Sequence, residues 1–213
     1  MTTSTIPKLS RQLIKKNVAH FIDEQSMELY ENTYINIDRL IEGLTRNKLL
    51  IYKECSLGQV NNKQYLGMLV PSENTIYIDT SLNAVPHVKR FTQAHELGHW
   101  VLHRNLHLPD YTLSDTQHHF NLARPLITTY DWIEWQANTF AAYLLVPEDS
   151  FISNYKKGKK LLSINKPAEQ LAPYEYVKLQ KFLAHTFMVS QRMIGIYLQQ
   201  LIKESPMFDV DLD

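Results

Sequence analysis

Apolar residues recur at helical spacing over residues 9 to 30, at Leu9, Leu13, Ile14, Val18, Phe21 and Ile22. They do so again over residues 36 to 46, at Ile37, Leu40, Ile41 and Leu44. This recurrence predicts two N-terminal amphipathic helices. The pattern then changes. LLIYKEC, LGMLVP and TIYID are short, rich in β-formers and separated by Gly, Asn and Ser, which predicts a small, mostly antiparallel sheet. After Pro86 the helical pattern returns through about residue 104. Residues 105 to 130 hold Pro109, Pro125 and many His, Asp and Thr with no sustained period, as expected of a long loop. Another helix is expected from about Trp132 to Val146, where Pro147 stops it. The KKGKK run at 156 to 160 reads as a solvated, glycine-broken turn. Residues 168 to 184 and 190 to 203 read as two further helices, and the acidic end as a frayed tail.

Composition narrows what such a chain does. With 213 residues, 44% of them hydrophobic, it can bury a core of its own. Its 22 basic and 22 acidic residues cancel, so no overall field draws it to nucleic acid or anionic lipid, and direct nucleic-acid binding is disfavoured. Cys55 is the only cysteine, which excludes an intrachain disulfide framework and suits a reducing compartment. The first residues lack a signal-peptide pattern, and FAAYLLV is too short to span a bilayer. The expected location is the cytoplasm, with no membrane partner.

Chemistry enters with FTQAHELGHWVLH, residues 91 to 103. Residues four apart on a helix share a face, so His95 and His99 aim their imidazoles at one point, the spacing a metal needs. Glu96 lies about 100° around the helix, so it overhangs the pair instead of joining it, and is placed as a base for a water that the ion acidifies. Neutral imidazoles suit Zn²⁺ with one coordination position left open. A histidine-rich core helix explains the same residues without chemistry. Gly98 favours the metal reading, because glycine inside a helix costs about 1 kcal/mol relative to alanine and is kept where another backbone comes close. His103 lies about 12 Å along the axis from His95, too far to share an ion, and takes a structural role.

The third ligand comes from elsewhere. The pattern with glycine and histidine three and six residues after His99 is absent, since Leu102 and Asn105 stand there. Glu134 is the best candidate, near the start of a helix whose Ala137, Ala141 and Ala142 permit close packing. Asn138, one turn later, is a candidate to accept a hydrogen bond from a ligand histidine's other nitrogen. His107, Asp110, Asp115, His118 and His119 remain alternative ligands. His118, His119, Tyr130 and Tyr143 are candidates to stabilise an oxyanion, and spacing selects none of them.

RFTQAHELGHWVLH followed by EWQANTFAAYLLVP resembles the ImmA/IrrE family of zinc metallopeptidases over about residues 76 to 147. The resemblance implies one Zn²⁺ on His95, His99 and Glu134, with Glu96 as the catalytic base. It implies an α+β, gluzincin-like fold in which a small sheet packs on the active-site helix. It also implies an endopeptidase whose substrate is a helix-turn-helix repressor of a phage, another mobile element or a stress regulon. FLAHTFMVSQRMIGIYLQQL looks like the family's helix-turn-helix-like C-terminal part, although Met188 stands where a turn-favouring residue is expected. Ser190 is a good N-cap for the last helix.

The expected organisation is an N-terminal helical part and catalytic core over 1–147, a C-terminal helical part over 148–205, and a tail over 206–213. The rival function is a non-cleaving regulator that binds a repressor or DNA around a structural metal. Glu96 argues against it, since a structural zinc has no use for a base. A latent protease that a partner activates fits the same residues.

Overall fold

Side-chain caps fix where the first helices start. Ser10 Oγ accepts the Leu13 amide at 3.3 Å, opening α1 (Arg11–Asp23), and Asn36 Oδ1 accepts the Arg39 amide at 3.0 Å, opening α2 (Ile37–Arg46). Between them lie two short strands, β1 (Tyr30–Glu31) and β2 (Tyr34–Ile35), paired antiparallel. The computed structural model describes residues 6–25, 29–31, 33–60, 63–106, 113–115 and 128–204. After α2 come β3 (Ile51–Cys55), β4 (Gln59–Val60), β5 (Lys63–Gln64), β6 (Gly67–Val70), β7 (Thr75–Asp79), α3 (Pro86–His103) and β8 (Leu113–Asp115). The chain ends in α4 (Thr129–Leu145), α5 (Glu148–Leu161), α6 (Pro173–Phe187) and α7 (Gln191–Glu204). The fold is α+β, with no described helix long and apolar enough to cross a membrane.

Strands β3, β7, β6 and β8 form one sheet in that order. β6 pairs antiparallel with both β7 and β8, but β3 runs parallel to β7, so the sheet is mixed. β8 lies inside the segment expected to be loop throughout. The tight β6–β7 connection places Asn74 in the left-handed region, φ 49°. Its side chain then binds twice, donating to the Leu49 carbonyl at 2.7 Å and accepting from Trp100 Nε1 at 2.7 Å. One turn residue thus ties the sheet to α3.

The chain divides into two compact units, residues 1–29 with 36–144, and residues 30–35 with 145–213. In the first, α3 is buried on all sides from Arg90 to Trp100, as expected of a helix with partners all round. The sheet covers one side through β6 and β7. Phe21 of α1 meets Trp100 and Phe140 with ring centroids 6.3 and 5.9 Å apart, covering another. The N-terminal segment lies along α4, with Lys8 over Trp132 and Arg11, the first residue of α1, over Trp135.

In the second unit the KKGKK run is helical, not a turn. Phe151, Tyr155 and Gly158 continue one buried stripe of α5, while Lys156, Lys157 and Lys160 face outward. Gly158 is needed because a Cβ there would stand 2.7 Å from Phe182 of α6. Burial of one stripe outweighs the composition of the other. Phe151 stacks on Phe187 and meets Tyr197 at a tilt, with centroids 6.1 and 4.9 Å away. α6 stops at Met188, φ 55°, and α7 restarts with Ser190 Oγ accepting the Met193 amide at 3.2 Å. A left-handed methionine therefore makes the turn that a smaller residue usually makes. Residues 205–213 lie outside the described residues, as does the frayed tail expected there.

Candidate metal centre

Pro86 opens α3 at the position where a missing N–H costs nothing, and the helix then runs unbroken past His95 and His99. Their rings meet edge to face, with Nε2 atoms 2.9 Å apart. α4 supplies the third group. Thr128 and Asp131 exchange hydrogen bonds across its first turn, Thr128 N and Oγ1 donating to Asp131 Oδ2 and Asp131 N donating to Thr128 Oγ1. This fixes the helix start and sets Glu134 one turn in. Glu134 Oε1 lies 3.3 Å from His99 Nε2, and Oε2 lies 3.4 Å from His95 Nε2.

Close helix packing makes this convergence possible. A Cβ on Gly98 would stand 3.0 Å from the Ala137 carbonyl oxygen and 3.2 Å from Phe140 Cβ. The glycine of α3 and the alanine of α4 thus let two backbones approach beside the cluster. Asn138, one turn after Glu134, holds Oδ1 3.0 Å from His95 Nδ1.

These distances suit an ion. Tetrahedral ligands at 2.0–2.1 Å from zinc sit about 3.3 Å from one another. The three donor pairs here lie between 2.9 and 3.4 Å. His95, His99 and Glu134 are the group of metal-binding type found among the described residues. Burial pushes the Glu134 carboxyl up, but His99 and His95 outweigh it and hold the group well below the usual carboxylate range. The lowered carboxyl favours the ionised form, which metal binding requires.

Glu96 is fully buried beside the cluster and packs on the sheet. A Cβ on Gly67 of β6 would stand 2.7 Å from Glu96 Oε1 and 2.5 Å from Thr92 Cγ2. Gly67 therefore creates the space that Glu96 occupies. Sequence reasoning gave Gly67 no role; its signal was a glycine opening a strand, which often marks a close approach.

His103, expected to be structural, touches the site from behind. Its Nδ1 lies 3.0 Å from His99 Nδ1 and its Nε2 lies 3.2 Å from Gln136 Oε1. Burial, then the neighbouring His99, push His103 down to about 3. Of the alternative ligands, His107, Asp110, His118 and His119 lie outside the described residues, and Asp115 belongs to β8.

A histidine pair and a carboxylate converging between two helices of an α+β domain form a candidate metal site. Residues 54–198 match the model of the IrrE N-terminal-like domain, peptidase M78, which is more than half of the chain. The chain belongs to this ImmA/IrrE metallopeptidase family. No curated protein matches it.

Proposed function

We propose that this chain is a cytoplasmic, zinc-dependent endopeptidase of gluzincin type that cleaves a helix-turn-helix repressor. The observation that carries the reading is the cluster of His95, His99 and Glu134 donors at the spacing of a tetrahedral ion, with Glu96 on the same helix. When bound, zinc supplies Lewis-acid polarisation of a carbonyl and an acidified water. Glu96 takes the proton of the attacking water and passes it to the leaving amine. Asn138 Oδ1 holds His95 through its Nδ1–H, which leaves Nε2 as the ligand atom.

Among the candidates for oxyanion stabilisation, helix geometry separates the two tyrosines. Tyr130 is one turn before Glu134 on the same face of α4 and is 46% exposed. Tyr143 is about 180° around from Glu134 and buried, so Tyr130 is the better donor. The repressor as substrate rests on the family resemblance, and the balanced charge supports a protein substrate over DNA.

The test is Glu96→Gln, which keeps the shape and removes the proton acceptor. Incubated with zinc and candidate repressors, wild type should cut one of them while Glu96→Gln binds zinc equally and cuts none. Cleavage by the variant at the wild-type rate would overturn the mechanism. Repressor or DNA binding with no cleavage by zinc-loaded wild type would favour the non-cleaving regulator.

A further inference from the structure

The contacts behind His99 form a chain with a fixed direction. Gln136 Nε2 donates to the Pro7 carbonyl at 2.9 Å, Gln136 Oε1 faces His103 Nε2 at 3.2 Å, and His103 Nδ1 faces His99 Nδ1 at 3.0 Å. The far end sets the protons. A backbone carbonyl only accepts, so the Gln136 amide nitrogen must point at Pro7 and its oxygen at His103. That oxygen also only accepts, so His103 carries its proton on Nε2. A neutral imidazole has one N–H, so His103 Nδ1 is an acceptor and His99 Nδ1 must donate to it. The lone pair of His99 is thereby left on Nε2, the atom that faces His95 Nε2 and Glu134.

We propose that Pro7, Gln136 and His103 form a hydrogen-bond relay that locks His99 in the Nε2-ligating tautomer and aims its ring, which makes His103 a positioning residue. This rests on the reading of His95, His99 and Glu134 as metal ligands. The relay gives the two histidines equivalent supports from different sources, since Asn138 of α4 holds His95 and His103 of α3 itself holds His99. It also gives the segment before α1 a task at the site, because the carbonyl that sets the chain's direction belongs to Pro7. A histidine kept only to fill space would not need both ring nitrogens engaged in one consistent order.

The test compares His103→Leu with His103→Asn in the full chain. Asparagine sets its oxygen close to where Nδ1 stood and can still accept from His99, whereas leucine fills the space without accepting. Zinc affinity, read by chelator competition, should fall about 10- to 100-fold in His103→Leu. In His103→Asn it should recover most of that loss. Nitrogen-15 NMR of the metal-free wild type should show His103 protonated at Nε2 and His99 at Nδ1, with the His99 preference lost in His103→Leu. If wild type takes up no zinc, the metal reading fails and the relay with it. If wild type binds zinc and His103→Leu binds it as tightly, only the relay is overturned. Should His103→Leu not fold, a wild-type His103 protonated at Nδ1 overturns the relay by itself.

Discussion

Gly67→Ala tests how the sheet positions the proposed base. The added Cβ would stand 2.5 Å from Thr92 Cγ2, 2.7 Å from Glu96 Oε1 and 3.0 Å from Glu96 Cγ. An ordinary contact of this kind needs about 3.4 Å or more, so the side chains must retreat by roughly 0.4 to 0.9 Å. They have little room, because Thr92 and Glu96 are both fully buried and Thr92 Oγ1 is tied to the Val88 carbonyl at 2.9 Å. Overpacking of this size costs about 1–3 kcal/mol, which for a chain of this length lowers the melting temperature by about 2–4 °C per kcal/mol. The three atoms nearest the new methyl belong to Thr92 and Glu96 and not to His95, His99 or Glu134, so zinc content should stay at the wild-type level. Cleavage should not, since a misplacement near 1 Å can cost about 100-fold in rate. The variant would be assayed by thermal melt, zinc content and cleavage of the substrate that wild type cuts. A variant as stable and as active as wild type would refute the packing account of Glu96.

Other perturbations separate the remaining roles. Glu134→Ala should abolish stoichiometric zinc binding, while Asn138→Ala should weaken it about 10- to 100-fold, as measured by chelator competition; equal affinities would remove Glu134 from the cluster's ligands. Asp79 is buried and accepts the Leu57 and Ser81 amides at 2.7 and 2.9 Å; burial raises its carboxyl, but the bonds from Ser81 and Leu57 prevail and hold it below the usual range. Its stabilisation is therefore complete above an unfolded pKa of about 3.9 and is lost as pH falls through the lower folded value. Asp79→Asn should melt below wild type at pH 7, and the gap should close on acidification below about pH 4; a gap constant with pH would refute this. Met188→Gly should raise stability by up to about 1 kcal/mol in a urea titration, because it relieves a left-handed conformation at a residue that is 42% exposed. A lower midpoint would show that the methionine's packing outweighs its strain.

What the sequence disclosed follows the range of the interactions involved. His95, Glu96 and His99 were legible because their geometry is set within one turn of one helix. Glu134 and Asn138 were legible because they too repeat at four residues, beside alanines that announce close packing. Gly67 was not, since its role depends on a strand meeting a helix some thirty residues later in the chain. Gln136 and Pro7 are further apart still, and nothing local pairs a glutamine with a distant carbonyl. The spacing of His103 from His95 bears on whether the two share an ion but is silent about the other nitrogen of His99.

Strand pairing set a similar limit. Alternation marks a strand without naming its neighbour, so the parallel β3–β7 pair and the three-residue β8 emerge only from the ladders they join. The KKGKK run misled through composition, because four lysines around a glycine read as a solvated turn, whereas that glycine lies in a helix and makes room for Phe182.

The proposed metal site requires that His95, His99 and Glu134 together hold one zinc ion. Metal analysis of the full chain, purified without added metal chelators and loaded with zinc, tests it most directly when set beside the His95→Ala, His99→Ala and Glu134→Ala variants. The account predicts one zinc per wild-type chain and loss of stoichiometric zinc from each variant, with the variants still folded. One zinc retained in all three variants, or none in folded wild type, would contradict it.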